Sequence, residues 1–370
     1  MTQQELTAAR LFIQHLAPWG KESEEEVVSW MGALQGQDYT SSRWAIGVRL
    51  PGSTEEKIEE AMREFRIVRS WLMRGTLHLT TAADIRWMLE LLGPRLIRAG
   101  MPRNRQLELD EETFTRSNDL LLRTLEGGKQ LTRDELAGIY KNAGIVIDGQ
   151  RFIHLLQRAA LEQLICFGPR RQKQFTFTLL NEAVPATQVT MGREEALAEL
   201  TKRYFQSRGP ASLQDFVWWS GLSITEARQG LEAAKPLLQQ DNIGGQLYYL
   251  PRELPSGLGV QKRSVWLLPA FDEYVIAYRD RSALLDKHLS KHVISVNGIF
   301  YPVIVVNGKV EGLWKRTIQK DKIILEVKPF GTLRPTIKKE IAASAEEFGK
   351  FTGKAIRIIG DGSRSPCDLA

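Results

Sequence analysis

The chain has 370 residues, more than one ordinary hydrophobic core accommodates, which indicates two to four modules. Its 50 basic and 44 acidic residues leave a net charge of +6, which permits a nucleic-acid partner without requiring one. The first residues lack the basic and apolar regions of a signal peptide, and no apolar run approaches the roughly 18 residues of a membrane span. Cys166 and Cys367 lie in dissimilar segments, which argues against a disulfide framework. We therefore expect a cytoplasmic protein that does not contact membranes.

An amphipathic helix is predicted to end at Met31–Tyr39, a segment in which Gln35 and Gln37 flank a glycine. Ser23 is a suitable N-cap, and Glu26 follows three residues later, as in a capping box. The apolar residues that repeat at helical spacing are Val27, Trp30, Met31 and Leu34. The two glutamines therefore lie where a helix with one buried face meets a change in the chain.

The remainder of the first 125 residues contains further helical and strand patterns. A short helix is predicted at Leu6–Leu16, and a capping box at Ser53 and Glu56 opens a helix that continues to Phe65. The β-rich run Ile67–Leu79 contains Arg74-Gly75 and indicates a strand pair, although its first half could also continue a helix. Helices followed by strands are the order found in a winged helix.

Two further segments repeat this order. In the first, Thr132 can cap a helix, and the wing carries Arg170, Arg171 and Lys173 at its tip. Its predicted helices are Arg133–Asn142 and Gln150–Gln163, and its strands are Leu164–Phe167 and Phe175–Leu179. In the second, the predicted helices are Glu194–Ser207, Leu213–Ser220 and Ile224–Ala234, and the strands are Leu237–Ile243 and Gln246–Leu250.

After the loop Pro251–Gly259, the composition shifts toward strands. Asn307-Gly308 between two apolar runs predicts a hairpin, and one helix is expected near Ile337–Phe348. The predicted strands are Val265–Leu268, Gly298–Val306, Lys309–Lys315, Lys322–Pro329 and Ala355–Ile359. We predict an α+β fold with three tandem winged-helix modules at 1–125, 126–188 and 189–258, followed by a small β-rich C-terminal domain at 259–370.

Motifs along nearly the whole chain carry a family resemblance. They are Gln35–Asp38 with Ala45–Arg49, Arg74–His78, Pro269–Tyr274 with Tyr278–Arg281, Asn297–Val303, and Gly312–Arg316. Together, in this order, they resemble the winged-helix DNA-binding family of AlkZ-type DNA glycosylases, which remove alkylated bases from DNA. The resemblance implies that Gln35 and Gln37 are catalytic, as the family's Gln-x-Gln signature. The middle residue of that signature is usually larger and apolar, so Gly36 would hold the two amides less rigidly.

Physical chemistry gives this resemblance a mechanism. A purine alkylated at N7 or N3 is cationic and departs as a neutral base, so it needs little help from a general acid. The enzyme must stabilise an oxocarbenium-like sugar and place a water molecule, and an amide oxygen can do both. Because an amide is a poor base, a glutamine pair suits labile cationic lesions and should fail on stable uncharged ones.

Other side chains have both a functional and a structural interpretation. Two glutamines near a helix end are, in most proteins, solvated surface or backbone caps. Asp38 could be an accessory carboxylate, but an Asp after a helix is more often a turn or cap residue. His78 could touch DNA or a flipped base, although a lone histidine in an apolar strand is more often part of the core. Trp218-Trp219 fits the core better than a base-stacking platform.

The acidic pair Asp272 and Glu273 could be catalytic, but an ion-pair network with Arg279 and Arg281 is at least as consistent with the sequence. His288 and His292 are spaced as metal ligands but lack a suitable partner, so we expect no metal and no cofactor. The cations that we predict to contact DNA are Arg43, Arg49, Arg74, Arg170, Arg171, Lys173, Lys309, Lys315 and Arg316.

Two functional classes follow from the sequence. The first is a monofunctional glycosylase that hydrolyses the N-glycosidic bond of cationic N-alkylated purines, crosslinks included, in double-stranded DNA. The second is a non-enzymatic winged-helix DNA-binding protein or transcriptional regulator. Regulators commonly use one such module per chain and dimerise, so three unequal modules favour an enzyme that works as a monomer. A third interpretation, winged helices used for protein contacts, is compatible with the modest charge.

Overall fold

The computed structural model describes residues 1–16, 23–185, 191–252 and 264–360. The chain forms two compact units. Unit 1 comprises Met1–Ile58 together with Ala198–Ala370, and unit 2 comprises Glu59–Leu197. Neither unit coincides with one of the four predicted module ranges, because the N-terminal residues pack with the C-terminal half of the chain.

The structure contains both helices and strands and is of the predicted α+β class. Up to the end of unit 2 they are α1 (Gln3–Ile13), α2 (Glu24–Met31), β1 (Leu34–Gln35), α3 (Tyr39–Gly47), α4 (Glu55–Arg63), β2 (Ile67–Trp71), β3 (Leu77–Thr81), α5 (Ala82–Gln106), α6 (Glu111–Leu125), β4 (Leu131–Thr132), α7 (Arg133–Asn142), α8 (Arg151–Leu161), β5 (Ile165–Arg171), β6 (Gln174–Leu179) and α9 (Leu180–Ala183).

The C-terminal half begins with a helix that leads from unit 2 into unit 1. Its elements are α10 (Arg193–Arg208), α11 (Leu213–Ser220), α12 (Ile224–Ala234), β7 (Leu238–Ile243), β8 (Gln246–Pro251), β9 (Val265–Leu268), α13 (Glu273–Ile276), α14 (Ser290–Val293), β10 (Val303–Val306), β11 (Lys309–Ile318), β12 (Lys322–Pro329), α15 (Pro335–Thr352) and β13 (Ala355–Ile359). Among the described residues, we find no helix with both the length and the apolar character needed to cross a bilayer.

Unit 2 is organised around a sheet in which the strands lie in the order β3-β2-β5-β6-β4. The predicted strand pair is confirmed, since Ile67 pairs with Thr81 and Trp71 with Leu77 in antiparallel register. β2 also pairs with β5 at Arg69 and Phe167. The predicted boundary at residue 125 therefore falls between parts of one sheet.

Unit 1 contains a five-stranded sheet in the order β13-β12-β11-β10-β9. Trp44 of α3 packs against Phe348 and Phe351 of α15, with ring centroids 5.0 and 5.1 Å apart. The Trp44 indole N–H also donates to the Leu267 carbonyl at 2.7 Å. Because these contacts are buried, they hold α3 in place, and α3 begins two residues after Gln37.

The predicted N-terminal caps of two helices, α7 and α4, can be compared with the caps in the structure. Thr132 caps α7 as predicted, and the structure adds the reciprocal bond from the Thr132 backbone to Glu135. At α4, however, the Lys57 N–H bonds to Thr54, whereas Ser53 donates to Glu24 at 2.7 Å. The helix therefore starts one residue later than predicted, because a tertiary contact occupies the Ser53 hydroxyl.

The Asn307-Gly308 turn joins β10 and β11, as predicted, with positive φ at both residues. It is not a thin projection. A Cβ at Gly308 would lie 2.7 Å from the Thr7 side chain, and the Gly308 carbonyl accepts from the Tyr274 hydroxyl at 2.8 Å. The turn is therefore packed against α1.

Candidate active site

Gln35 and Gln37 lie in the short connection between α2 and α3. Gly32 ends α2 with φ of 66°, and β1 ends at Gln35. Gln35 is buried, with 6% of its surface exposed, whereas Gln37 is exposed. One amide of the pair is therefore within the protein and the other is at the surface.

A buried carboxylate contacts the backbone of this connection. The Gln35 backbone N–H donates to Glu273 Oε1 at 3.0 Å. The other oxygen of Glu273 accepts from Arg208 Nε at 3.0 Å and Nη2 at 2.8 Å, and from the Trp219 indole N–H at 2.9 Å. Charge-assisted bonds of this kind are stronger than bonds between neutral groups.

Arg208 also binds the end of α2 directly. Its Nη1 donates to the Met31 carbonyl and its Nη2 to the Ala33 carbonyl, each at 2.8 Å. Helix α2 has no basic residue in its last turn, so Arg208 supplies the positive charge that a helix C-terminus favours. Arg208 thereby binds two backbone carbonyls in the stretch that leads from the end of α2 to Gln35.

Arg49 and Asp272 form a second buried ion pair. Arg49 Nη1 and Nη2 each donate to one Asp272 oxygen at 2.8 Å, and neither side chain has exposed surface. A guanidinium without exposed surface cannot reach a phosphate in this conformation, so the predicted DNA contact by Arg49 is corrected to a structural pair.

The predicted ion-pair network at Asp272 and Glu273 is thus present, but with other partners. Arg279 bonds to Gln214 at 2.9 Å, and Arg281 Nε bonds to the Val275 carbonyl at 2.8 Å.

A polar chain connects the two ion pairs. Arg49 Nη2 donates to Gln14 Oε1 at 3.0 Å, and Gln14 Nε2 donates to the Tyr278 hydroxyl at 2.8 Å. That hydroxyl donates to the Arg208 carbonyl at 2.8 Å. Burial raises the pKa of Tyr278 to about 12, so the hydroxyl keeps its proton near neutral pH. The connected groups therefore form a polar network inside unit 1.

Asp38 caps α3, which agrees with its structural interpretation. Its carboxylate accepts from the Ser41 N–H at 2.6 Å and lies 3.6 Å from Arg316 Nη2. Arg316 also donates to the Ser41 hydroxyl at 3.3 Å. Burial lowers the pKa of the Arg316 guanidinium, and the Asp38 charge counteracts that effect. Of the predicted site residues, Arg316 therefore lies close to Asp38, which directly follows Gln37 in the sequence.

His78 lies in unit 2, in the middle of β3, with no exposed surface. Its Nδ1 is 3.0 Å from the Thr76 carbonyl oxygen. The position matches the core interpretation of this histidine. Arg74 precedes it with φ of 56° in the turn between β2 and β3 and is half-buried.

The other predicted DNA cations differ in exposure. Arg43 is buried and lies 3.0 Å from Glu55. Arg171, on the wing of unit 2, bonds to Glu135 at 2.7 Å. On the same wing, Arg170 is half-buried and Lys173 is exposed.

In β11, Lys309 and Lys315 are exposed, whereas Arg316 is half-buried. Because strand residues alternate between faces, Arg316 lies on the opposite face of the sheet from the two lysines.

Sequence reasoning missed Arg208, Gln14 and Trp219 as parts of this site. Trp219 is buried and donates to Glu273, whereas Trp218 is 40% exposed. Only Trp219 of these two tryptophans is therefore a core residue. The local sequence around Arg208 carries no signal of its role, because Glu273 is 65 residues away. Across the described ranges, the structure holds no group of three His, Cys, Asp or Glu side chains suited to a metal ion.

Comparisons with known proteins identify the family and the fold of this chain. The profile of the family described as DNA glycosylase AlkZ-like matches residues 28–351. An interstrand DNA cross-link repair glycosylase from Streptomyces sahachiroi is 26% identical over 382 residues, which covers 95% of this chain and 98% of that relative. The solved structure of Streptomyces sahachiroi DNA glycosylase AlkZ has a TM-score of 0.75 at 23% identity and covers 97% of this chain and 100% of that chain, so the folds are alike.

The family match decides between the two functional classes left by the sequence. A profile that spans most of the chain confirms the predicted resemblance and favours the enzyme over the non-enzymatic regulator. The protein belongs to the AlkZ-like family of DNA glycosylases and is an enzyme of DNA repair.

Proposed function

We propose that this enzyme hydrolyses the N-glycosidic bond of cationic N-alkylated purines in duplex DNA, with Gln35 and Gln37 as its catalytic side chains. One observation carries the proposal: the backbone of Gln35 is held by a buried carboxylate at 3.0 Å, while Gln37 reaches the surface. A held segment with an exposed amide suits a reaction in which the base is brought to the enzyme from outside.

The chemistry needs no strong acid or base from the protein. The cationic purine leaves as a neutral base, so the amides have to orient water and stabilise positive charge on the sugar. Gln35 and Gln37 supply neutral dipoles for this purpose. The Streptomyces relative is named for the repair of interstrand crosslinks, and we extend the proposed substrates to crosslinks formed through such cationic purines.

The architecture in this proposal is three winged-helix modules and a β-rich C-terminal domain, acting as a monomer on double-stranded DNA. Three helix-and-hairpin segments support it, since β2–β3, β5–β6 and β7–β8 are each antiparallel pairs that follow helices. Lys173 and Lys315 are exposed cations on strands or wings and are candidates for phosphate contacts.

The test uses duplex DNA that carries a single N7-methylguanine. Wild-type enzyme is expected to release free base and leave an abasic site that heat or alkali cleaves. Gln35→Ala or Gln37→Ala should slow release by about 10² to 10³, with DNA affinity nearly unchanged, as when one preorganised dipole is removed. Gln239→Ala, at an exposed position on β7, is a matched control and should release base at the wild-type rate.

Two further variants distinguish an amide mechanism from a carboxylate base, since one adds a carboxylate and the other removes one. Gln37→Glu should retain or increase release of the cationic base and could extend it to a less labile one. Asp38→Asn should have a smaller effect than either alanine variant, because Asp38 caps α3. If Asp38→Asn abolishes release while both alanine variants remain active, a carboxylate base is responsible and the amide mechanism is wrong.

A further inference from the structure

The segment that carries the two glutamines is held at its C-terminal end by Asp38, which caps α3. Gly36 separates the two glutamines, and a glycine has more backbone freedom than any other residue. The segment is short, since α2 ends at Met31 and α3 begins at Tyr39. Correct placement of Gln35, on the other side of that glycine from Asp38, must therefore depend on groups outside the segment.

Glu273 and Arg208 are placed to provide this support. One oxygen of Glu273 accepts the Gln35 N–H, and the other accepts two Arg208 nitrogens and the Trp219 indole. Arg208 in turn donates to the carbonyls of Met31 and Ala33. The pair thus bonds backbone groups from Met31, the last residue of α2, to Gln35.

Burial indicates that the pair is more than a stabilising contact. Arg208 has no exposed surface and Glu273 has 2%. Removing two charges from water is costly, and a packed apolar pair of similar size commonly stabilises a fold as well. An apolar pair would not accept the Gln35 N–H or bind two carbonyls. The charged pair therefore supplies orientation that packing alone does not.

We propose that Glu273 and Arg208 are positioning residues of the glycosylase, whose buried ion pair fixes the backbone of Gln35 and thereby the catalytic geometry of both amides. This inference rests on the proposed roles of Gln35 and Gln37. Reaction rates are sensitive to such placement, because a displacement of about 1 Å can slow a reaction about 10²-fold.

The test compares Glu273→Gln with Asp272→Asn in single-turnover release of N7-methylguanine, at a temperature where circular dichroism shows both variants folded. Each change removes one charge from a buried ion pair, but only Glu273 contacts the glutamine segment. Glu273→Gln should lower the rate constant at saturating enzyme by about 10- to 100-fold, with the DNA dissociation constant within about twofold of wild type. Asp272→Asn should have a much smaller effect on the rate. A wild-type rate for folded Glu273→Gln would overturn the proposal.

A milder pair of variants keeps the test decisive if Glu273→Gln does not fold. Trp219→Phe removes one bond to Glu273, and Trp266→Phe removes a bond from an equally buried indole to the Leu16 carbonyl. Trp219→Phe should slow release by about two- to fivefold, the value of roughly one hydrogen bond, and Trp266→Phe should not slow it. If both tryptophan variants release base at the same rate, Glu273 does not act as a positioning residue.

A double-mutant cycle separates this inference from the proposed function. In the Gln37→Ala background, Glu273→Gln should slow release less than it does in the wild type, because one of the two amides that it positions is already absent. If Gln37→Ala is slow but Glu273→Gln has the same fold effect in both backgrounds, the positioning role is wrong and the catalytic role stands. If Gln37→Ala alone remains fully active, the proposed function fails instead.

Discussion

Replacing Arg49 with methionine tests whether this residue is a structural group or a DNA contact. Arg49 donates to both Asp272 oxygens, to the Ala45 carbonyl and to Gln14, all inside the protein. The variant keeps most of the side-chain volume but leaves a buried carboxylate without its cation. Breaking a buried pair in this way costs about 3–5 kcal/mol, which is a large part of a typical free energy of unfolding of about 5–15 kcal/mol.

Urea unfolding followed by tryptophan fluorescence measures this effect. With an m-value of about 3 kcal/mol/M, the Arg49→Met midpoint should fall by about 1 to 1.7 M. Adding Asp272→Leu should recover part of the loss, because it removes the uncompensated charge. The folded single variant should bind DNA with an unchanged dependence on salt. A midpoint shift below about 0.3 M, together with a salt slope lower by about one unit, would show that Arg49 contacts a phosphate.

Side chains of unit 2 give three further predictions. Alanine at Arg170, Arg171 and Lys173 should lower the log-log salt slope of DNA binding, measured by fluorescence anisotropy, by at most about one unit per residue. An unchanged slope would exclude this wing from the interface. Burial lowers the pKa of His154 below 6.5, so the unfolded chain binds more protons and stability should fall as pH drops through that value. His154→Gln should reduce the difference in Tm between about pH 7.5 and pH 5.5, and an undiminished difference would contradict the assignment. Burial raises the pKa of Cys166 to about 12, so in a Cys367→Ser background iodoacetamide at about pH 8 should label Cys166 only on unfolding; rapid labelling of the folded protein would contradict this.

Elements with strong local signals could be predicted from the sequence. Helices α11 and α12, for example, match their predicted bounds because Ser212 and Ser223 each form a capping box with an acidic residue three positions later. The hairpin at Asn307-Gly308 is another local feature, since both residues tolerate positive φ. By contrast, no prediction was made for the long helix α5, which contains Pro94 and Pro102 within its length.

The candidate site was only partly predictable, because its partners are far apart in sequence. The sequence allows Asp272 and Glu273 to be either a catalytic acid pair or the partners of the nearby Arg279 and Arg281. The structure instead pairs Asp272 with Arg49, 223 residues away, and Glu273 with Arg208, 65 residues away. Charge pattern reveals which residues need partners, but the tertiary fold selects them.

The contact between Gln35 and Glu273 joins parts of the chain that are synthesised at different times. Unit 2 is inserted in the sequence of unit 1, so the Gln35 segment is made early and its partner Glu273 follows 238 residues later. At translation rates of about 5–20 residues per second, Glu273 is made about 12 to 48 seconds after Gln35. A chain interrupted before Glu273 contains both glutamines but lacks the carboxylate that accepts the Gln35 backbone N–H. An incomplete copy of this DNA glycosylase is thereby made without the contact that we propose positions its catalytic glutamines.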